Sequence, residues 1–87
     1  MNKFYIVAYS EYILENDVNK EIICFDEIIE SSKNYFNEDL YDIDYYDLTE
    51  FVKEYVSNQI SKYTNSKVEF LETHVYTIHD TFNEINF

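Results

Sequence analysis

Apolar positions along this chain recur with two different periods. Residues 3–9 (KFYIVAY) set Phe4, Ile6 and Ala8 against Tyr5, Val7 and Tyr9. Alternation of β-branched and aromatic side chains predicts a strand, and apolar residues on both faces predict a central one. Residues 10–19 read as a loop or a weak helix. Residues 21–37 carry two readings. Glu21–Phe25 suits a short strand, whereas a helix capped by Asp26 would align Phe25, Ile28, Ile29, Ser32 and Phe36 on one stripe. Residues 40–46 (LYDIDYY) place Tyr41, Ile43 and Tyr45 on one side and Asp42 and Asp44 on the other, a half-exposed strand pattern. The rival is a helix starting near Asp39, because Tyr41, Tyr45, Leu48 and Val52 also fall at helical spacing.

The strongest periodicity lies at 48–63. Leu48, Phe51, Val52, Tyr55, Val56, Ile60 and Tyr63 follow the i, i+3, i+4 rule, with Gln59 as the polar exception. Asp47 and Glu50 are spaced like a capping box, and Asn65 is a C-terminal stop. Residues 67–79 are β-branched and aromatic. A regular strand would put Val68, Phe70, Glu72, His74, Tyr76 and Ile78 on one face; a bulge near Leu71–Glu72 repairs the register. Phe82, Ile85 and Phe87 suit a final edge strand. Turns fall at Asn, Asp and Ser clusters, among them Glu15–Asn19 and Asp80–Asn83. These elements predict one α+β domain over residues 1–87: a small three- to four-stranded, mainly antiparallel sheet with one or two helices packed on one face.

Composition narrows the function. The chain has 87 residues, no Gly and no Pro, and its six basic residues are all lysine. Without Gly there is no P-loop, dinucleotide fingerprint or G-x-S-x-G elbow. Without Arg there is no arginine finger or bidentate phosphate clamp. The single Cys24 cannot form an internal disulfide, and the apolar run Phe4–Ala8 is too short for a signal or membrane segment. A soluble, cytoplasmic protein of a bacterial host cell is the expectation. Abundant Ile, Asn and Tyr, with Gly, Ala, Arg and Pro nearly missing, also point to an A/T-rich genome.

Charge changes the picture most. Eighteen acids against six lysines give a net −12, and Glu11–Glu54 alone holds 14 acids and three lysines, or −11. The densest piece is Asp39–Asp47, DLYDIDYYD. On a strand, Asp42 and Asp44 would stand about 6.7 Å apart, while duplex DNA presents a charge about every 3.4 Å of axis per strand; carboxylates a few ångströms apart could occupy the Lys/Arg contacts that hold phosphates. The expected partner-binding set is Asp39, Asp42, Asp44, Asp47, Glu50 and Glu54, with Tyr41, Tyr45 and Tyr46 available to stack on guanidinium groups.

Other chemistries are weaker. Asp42-x-Asp44 could offer two oxygens to a divalent cation, but an EF-hand requires a loop glycine. His74 and His79 would point to opposite faces of a regular strand, a poor zinc pair. Cys24 lies in the apolar run Ile22–Phe25 and reads as a core thiol rather than a nucleophile. No catalytic residue, metal or cofactor is expected.

A short, acidic, Gly- and Pro-free α+β chain carrying DLYDIDYYD resembles the small phage-encoded inhibitors of host defence, including anti-CRISPR proteins and DNA-mimic anti-restriction or glycosylase-inhibitor proteins. That resemblance implies a non-enzymatic inhibitor. It would bind a Lys/Arg-rich nucleic-acid-handling protein, such as a CRISPR effector or nuclease, and block its DNA or RNA site. Direct nucleic-acid or membrane binding is not expected. The alternative is an acidic structural or regulatory interaction module that oligomerises through aromatic surfaces, as in a homodimer.

Overall fold

The computed structural model of the chain describes residues 2–15, 17–36 and 43–87. Four strands and one helix follow in the order β1 (Asn2–Leu14), β2 (Glu21–Ser31), α1 (Tyr45–Ser61), β3 (Val68–His79) and β4 (Glu84–Asn86). They form a four-stranded sheet ordered β2-β1-β3-β4, and every paired strand is antiparallel to its neighbour. The helix packs on one face, over β3 and β1. The α+β architecture is the expected one.

β1 is central, as its two apolar faces required. Phe4, Ile6, Ala8 and Ser10 point toward the helix and are buried, while Tyr5, Val7 and Tyr9 lie half-buried on the opposite face. The strand extends to Leu14, beyond the loop expected from residue 10. Ser10 looks like a break in the alternation, yet it is fully buried, because its hydroxyl is 2.9 Å from that of Thr73 on β3. A buried polar group with a partner costs little, so the inward row continues through it.

Residues 21–31 are a strand, not the start of a helix. Side-chain period two places Ile23, Phe25 and Ile29 opposite Ser10, Ala8 and Phe4 of β1. The β-branched Ile22, Ile23, Ile28 and Ile29 suit a pleated surface better than a helix. Asp26 is no cap; it accepts a 3.2 Å hydrogen bond from the Tyr5 hydroxyl. The same alternation corrects the reading of Cys24, which turns away from the helix and is exposed.

α1 begins three residues earlier than expected. Asp44, at φ −76° and ψ 99°, is the N-cap, and its carboxylate accepts from the Asp47 amide. Asp47 is therefore the third helical residue rather than the cap. Tyr45 and Tyr46 are helical, which removes the strand reading at that end of LYDIDYY; residues 37–42 lie outside the described residues. Leu48, Val52, Val56 and Ile60 form the buried stripe of α1 and meet Phe4, Ile6, Val75 and Ile78 of the sheet. Each fully buried Leu or Val contributes about 1.5–3 kcal/mol relative to exposure.

β3 contains two bulges. The register against β1 skips Leu71, between Glu11↔Glu72 and Tyr12↔Phe70, and skips Tyr76, between Val7↔Thr77 and Ala8↔Val75. The first is the expected bulge; the second is new. Together they keep Val68, Phe70, Thr73, Val75 and Ile78 facing the helix. β3 and β4 are joined without glycine. The Asp80 carboxylate accepts from the Phe82 and Asn83 amides at 2.8 Å, doing with a side chain what a left-handed residue does elsewhere. Burial acts to raise the Asp80 pKa, but these hydrogen bonds outweigh it and hold the carboxyl below its ordinary value.

Val56 has no exposed surface. Val56→Asp buries an unpaired charge there and should lower unfolding free energy by about 3 kcal/mol or more in a denaturant titration. A variant that unfolds with the parent would show that the stripe does not carry the core.

Candidate functional site

The expected acidic set divides in three. Asp39, Tyr41 and Asp42 lie outside the described residues. Asp44, Asp47, Glu50 and Glu54 are gathered at the start and along one flank of α1. Tyr45 and Tyr46 separate, the first turning to the sheet and the second remaining 69% exposed.

The acids on the flank are partly employed within the molecule. Asp44 caps the helix. Lys33 forms an ion pair with Asp47, and Lys53 reaches Glu50 at 3.1 Å. The Lys33 ammonium also stands 5.4 Å from the centre of the Tyr35 ring, and its hydrogen bond to Asp47 keeps its pKa above the ordinary lysine value. Glu54 is exposed and has no ion-pair partner among the described residues. Lys33, Asp47, Glu50, Lys53 and Glu54, but not Asp44, border an open groove of about 790 Å³ between α1 and the segment following β2. Two lysines inside an acidic groove weaken its likeness to a row of phosphates.

Tyr45 has a structural task. Its hydroxyl accepts from the Val75 amide at 3.0 Å and lies 2.8 Å from His74 Nδ1, while its ring packs 4.9 Å from that of Phe87. β4 pairs only with Thr77–His79. Tyr45 therefore caps the β3 edge at Val75, next to the residues that β4 covers. Tyr45→Phe removes the acceptor of a part-buried amide and should destabilise the fold by about 1–3 kcal/mol in denaturant unfolding. Unchanged stability would show that water replaces the phenol there without loss.

A second surface was not singled out by its sequence. Among the described residues, no element covers the face of the sheet turned away from α1. Tyr5, Val7 and Tyr9 run down its centre. The Tyr76 bulge brings His74 opposite Tyr9 and His79 opposite Tyr5, so both histidines share this face, contrary to the regular-strand expectation. Tyr5 packs on His79 at 4.9 Å, and Tyr9, His74 and Tyr76 form a cluster with ring centres 4.7–5.9 Å apart. Ile22, Ile28, Leu71 and Tyr76 are all exposed around it. Hydrogen bonding to Glu72, followed by burial, raises the Tyr9 pKa; burial, followed by the bond to Asp26, raises that of Tyr5. Both phenols remain neutral, and that of Tyr5 donates to the Asp26 carboxylate beside it. Alternation of apolar residues on both faces of β1 was the available signal; exposure of one face depends on where the helix sits.

No group of three or more His, Cys, Asp or Glu side chains among the described residues converges as a metal site. No described helix is long and apolar enough to cross a membrane. No family model matches the chain, and neither a curated protein nor a solved structure is detectably similar to it.

Tyr55 links the helix to β2 by donating to Glu27. Burial, then the hydrogen bond and charge of Glu27, push its phenol up to about 12. Because the folded value is raised, this contribution to stability is complete below the ordinary tyrosine pKa and is lost as pH climbs through the folded one. In a phenolate absorbance titration one tyrosine should ionise near pH 12, and Tyr55→Phe should delete that step. A parent curve with no such late step would overturn the assignment.

Proposed function

We propose that this chain is a non-enzymatic protein-interaction module that self-associates through the uncovered aromatic face of its sheet. The carrying observation is the ring cluster of Tyr9, His74 and Tyr76 beside the Tyr5–His79 pair, on a face that no described element covers. Aromatic centres with polar rims characterise protein interfaces. The molecule is 45 Å long and 22 Å across, and its sheet supplies a face on the scale of the about 800 Å² per partner that a standard interface buries. Asp26 already accepts from the Tyr5 phenol there, so covering this face with the same face of a second copy does not strand that carboxylate. A patch that meets itself closes as a two-fold dimer. The surplus acidity keeps the assembly soluble.

Salt dependence supplies the test. Two copies of a chain carrying −12 repel, so screening should strengthen self-association. Sedimentation should show the dimer fraction rising with salt, and Tyr76→Ser should weaken it about tenfold or more. A monomer at every salt concentration would refute the proposal.

A second reading keeps the resemblance to acidic inhibitors: competition for a basic nucleic-acid-handling protein. It is supported by the gathering of Asp44, Asp47, Glu50 and Glu54 on one flank. Binding of that kind weakens with salt and depends on Glu50 and Glu54, not on Tyr76.

A further inference from the structure

The two edges of the sheet are treated differently. On one side, β4 and the Tyr45 hydroxyl cover the edge of β3 at its C-terminal end, from Val75 to His79. On the other, β2 presents an edge of 11 residues to which no described strand is paired. The helix packs mainly over β3 and β1 and reaches β2 through Tyr55, which meets Phe25 and Glu27. Seven of the 11 residues of β2 are exposed, including Ile22 at 57% and Ile28 at 70%. An unpaired strand edge is a template for another strand, and proteins commonly blunt it with lysine, proline or a bulge. β2 has none of these; its register against β1 is unbroken, and its charged residues are Glu21, Asp26, Glu27 and Glu30.

We propose that the free edge of β2 takes up an extended, lysine- or arginine-bearing segment of a partner protein as a fifth strand. Backbone hydrogen bonds supply affinity in such strand addition, and side chains supply selectivity. Here selectivity comes from charge. Asp26 and Glu30 lie on the uncovered face and Glu21 and Glu27 on the helix side, so an incoming strand meets carboxylates on both of its faces. Neutral phenols from Tyr5 and Tyr55 bond Asp26 and Glu27 without cancelling their charge, and Glu30 meets Lys3 only at 3.9 Å. A second copy is a poor occupant, because β2 carries four acids and no base, and like charges across a strand pair repel. The backbone edge lies at the margin of the self-association face, with Asp26 and Glu30 on the border between the two.

The test uses the whole chain and a ten-residue peptide alternating lysine with valine. Its control is the same peptide with alternate amides N-methylated, which keeps the charge and removes strand pairing. The expected result is binding that weakens with salt, at least about tenfold weaker binding of the methylated peptide, and slowed hydrogen exchange of β2 amides in the complex. The triple variant Glu21→Gln, Asp26→Asn, Glu30→Gln should lose affinity while keeping the parent circular dichroism; Tyr76→Ser should not. Equal binding of the two peptides would reduce the interaction to bulk charge and overturn the proposal. Absence of binding, or β2 amides that exchange unchanged in the complex, would do the same. Concentration-dependent protection of β2 amides in the Tyr76→Ser variant alone, where face-to-face association is weakened, would assign the edge to a second copy and also overturn it.

Discussion

Everything in this fold is built against β1. It pairs with β2 on one side and β3 on the other along most of its length, whereas β3 has only the three residues of β4 on its second side. The inward row of β1, Phe4, Ile6, Ala8 and Ser10, is the surface that β2, β3 and α1 complete. A chain of this size buries only about 60–65% of the surface its unfolded form exposes. A central strand with both edges occupied uses that limited burial well, because each apolar residue on it meets neighbours from two strands and one helix. Ser10 shows how strongly this constraint acts. A hydroxyl in the middle of the core is retained because Thr73 lies opposite it, and the strand continues for another turn of the pleat.

One helix cannot cover both faces of such a sheet. The outer face is left with aromatic rings beside carboxylates: Tyr5 donates to Asp26, and Glu72 stands near enough to Tyr9 to raise its pKa. These phenol–carboxylate pairs reconcile two features that otherwise conflict, a strongly acidic chain and a large apolar surface. They fix ring positions and leave the charge at the margins. The glycine-free design carries the same economy into the turns, where Asp17 and Asp80 fold the backbone through their own side chains.

Acidity thus serves several physical roles at once. Asp44 caps a helix, Asp80 closes a hairpin, and Asp47 and Glu50 hold lysines. Counting carboxylates along the chain gives no means of separating these from the acids of β2, which line an open edge. Position in the sheet makes that distinction, and it shifts attention from the densest acidic segment to a strand whose charge is more dilute but whose backbone is available.

By itself the sequence determined the α+β class, the central place of β1, the amphipathic stripe of α1 and the bulge at Leu71, because each rests on local alternation or local spacing. It left β2 open between helix and strand, since Ile28 and Ile29 satisfy either period and only pairing with β1 selects one. The helix start moved to Asp44 because that cap lets Tyr45 reach the edge of β3, a contact 30 residues away in the chain. Local pattern also reads Cys24 as a core thiol and sets His74 and His79 on opposite faces, whereas Cys24 is exposed and the two histidines share a face. An edge strand exposes one of its faces, and the Tyr76 bulge reverses the register beyond it. Which face stays uncovered and which edge stays unpaired are properties of strand order and helix position, and those arise from contacts between residues far apart in the chain.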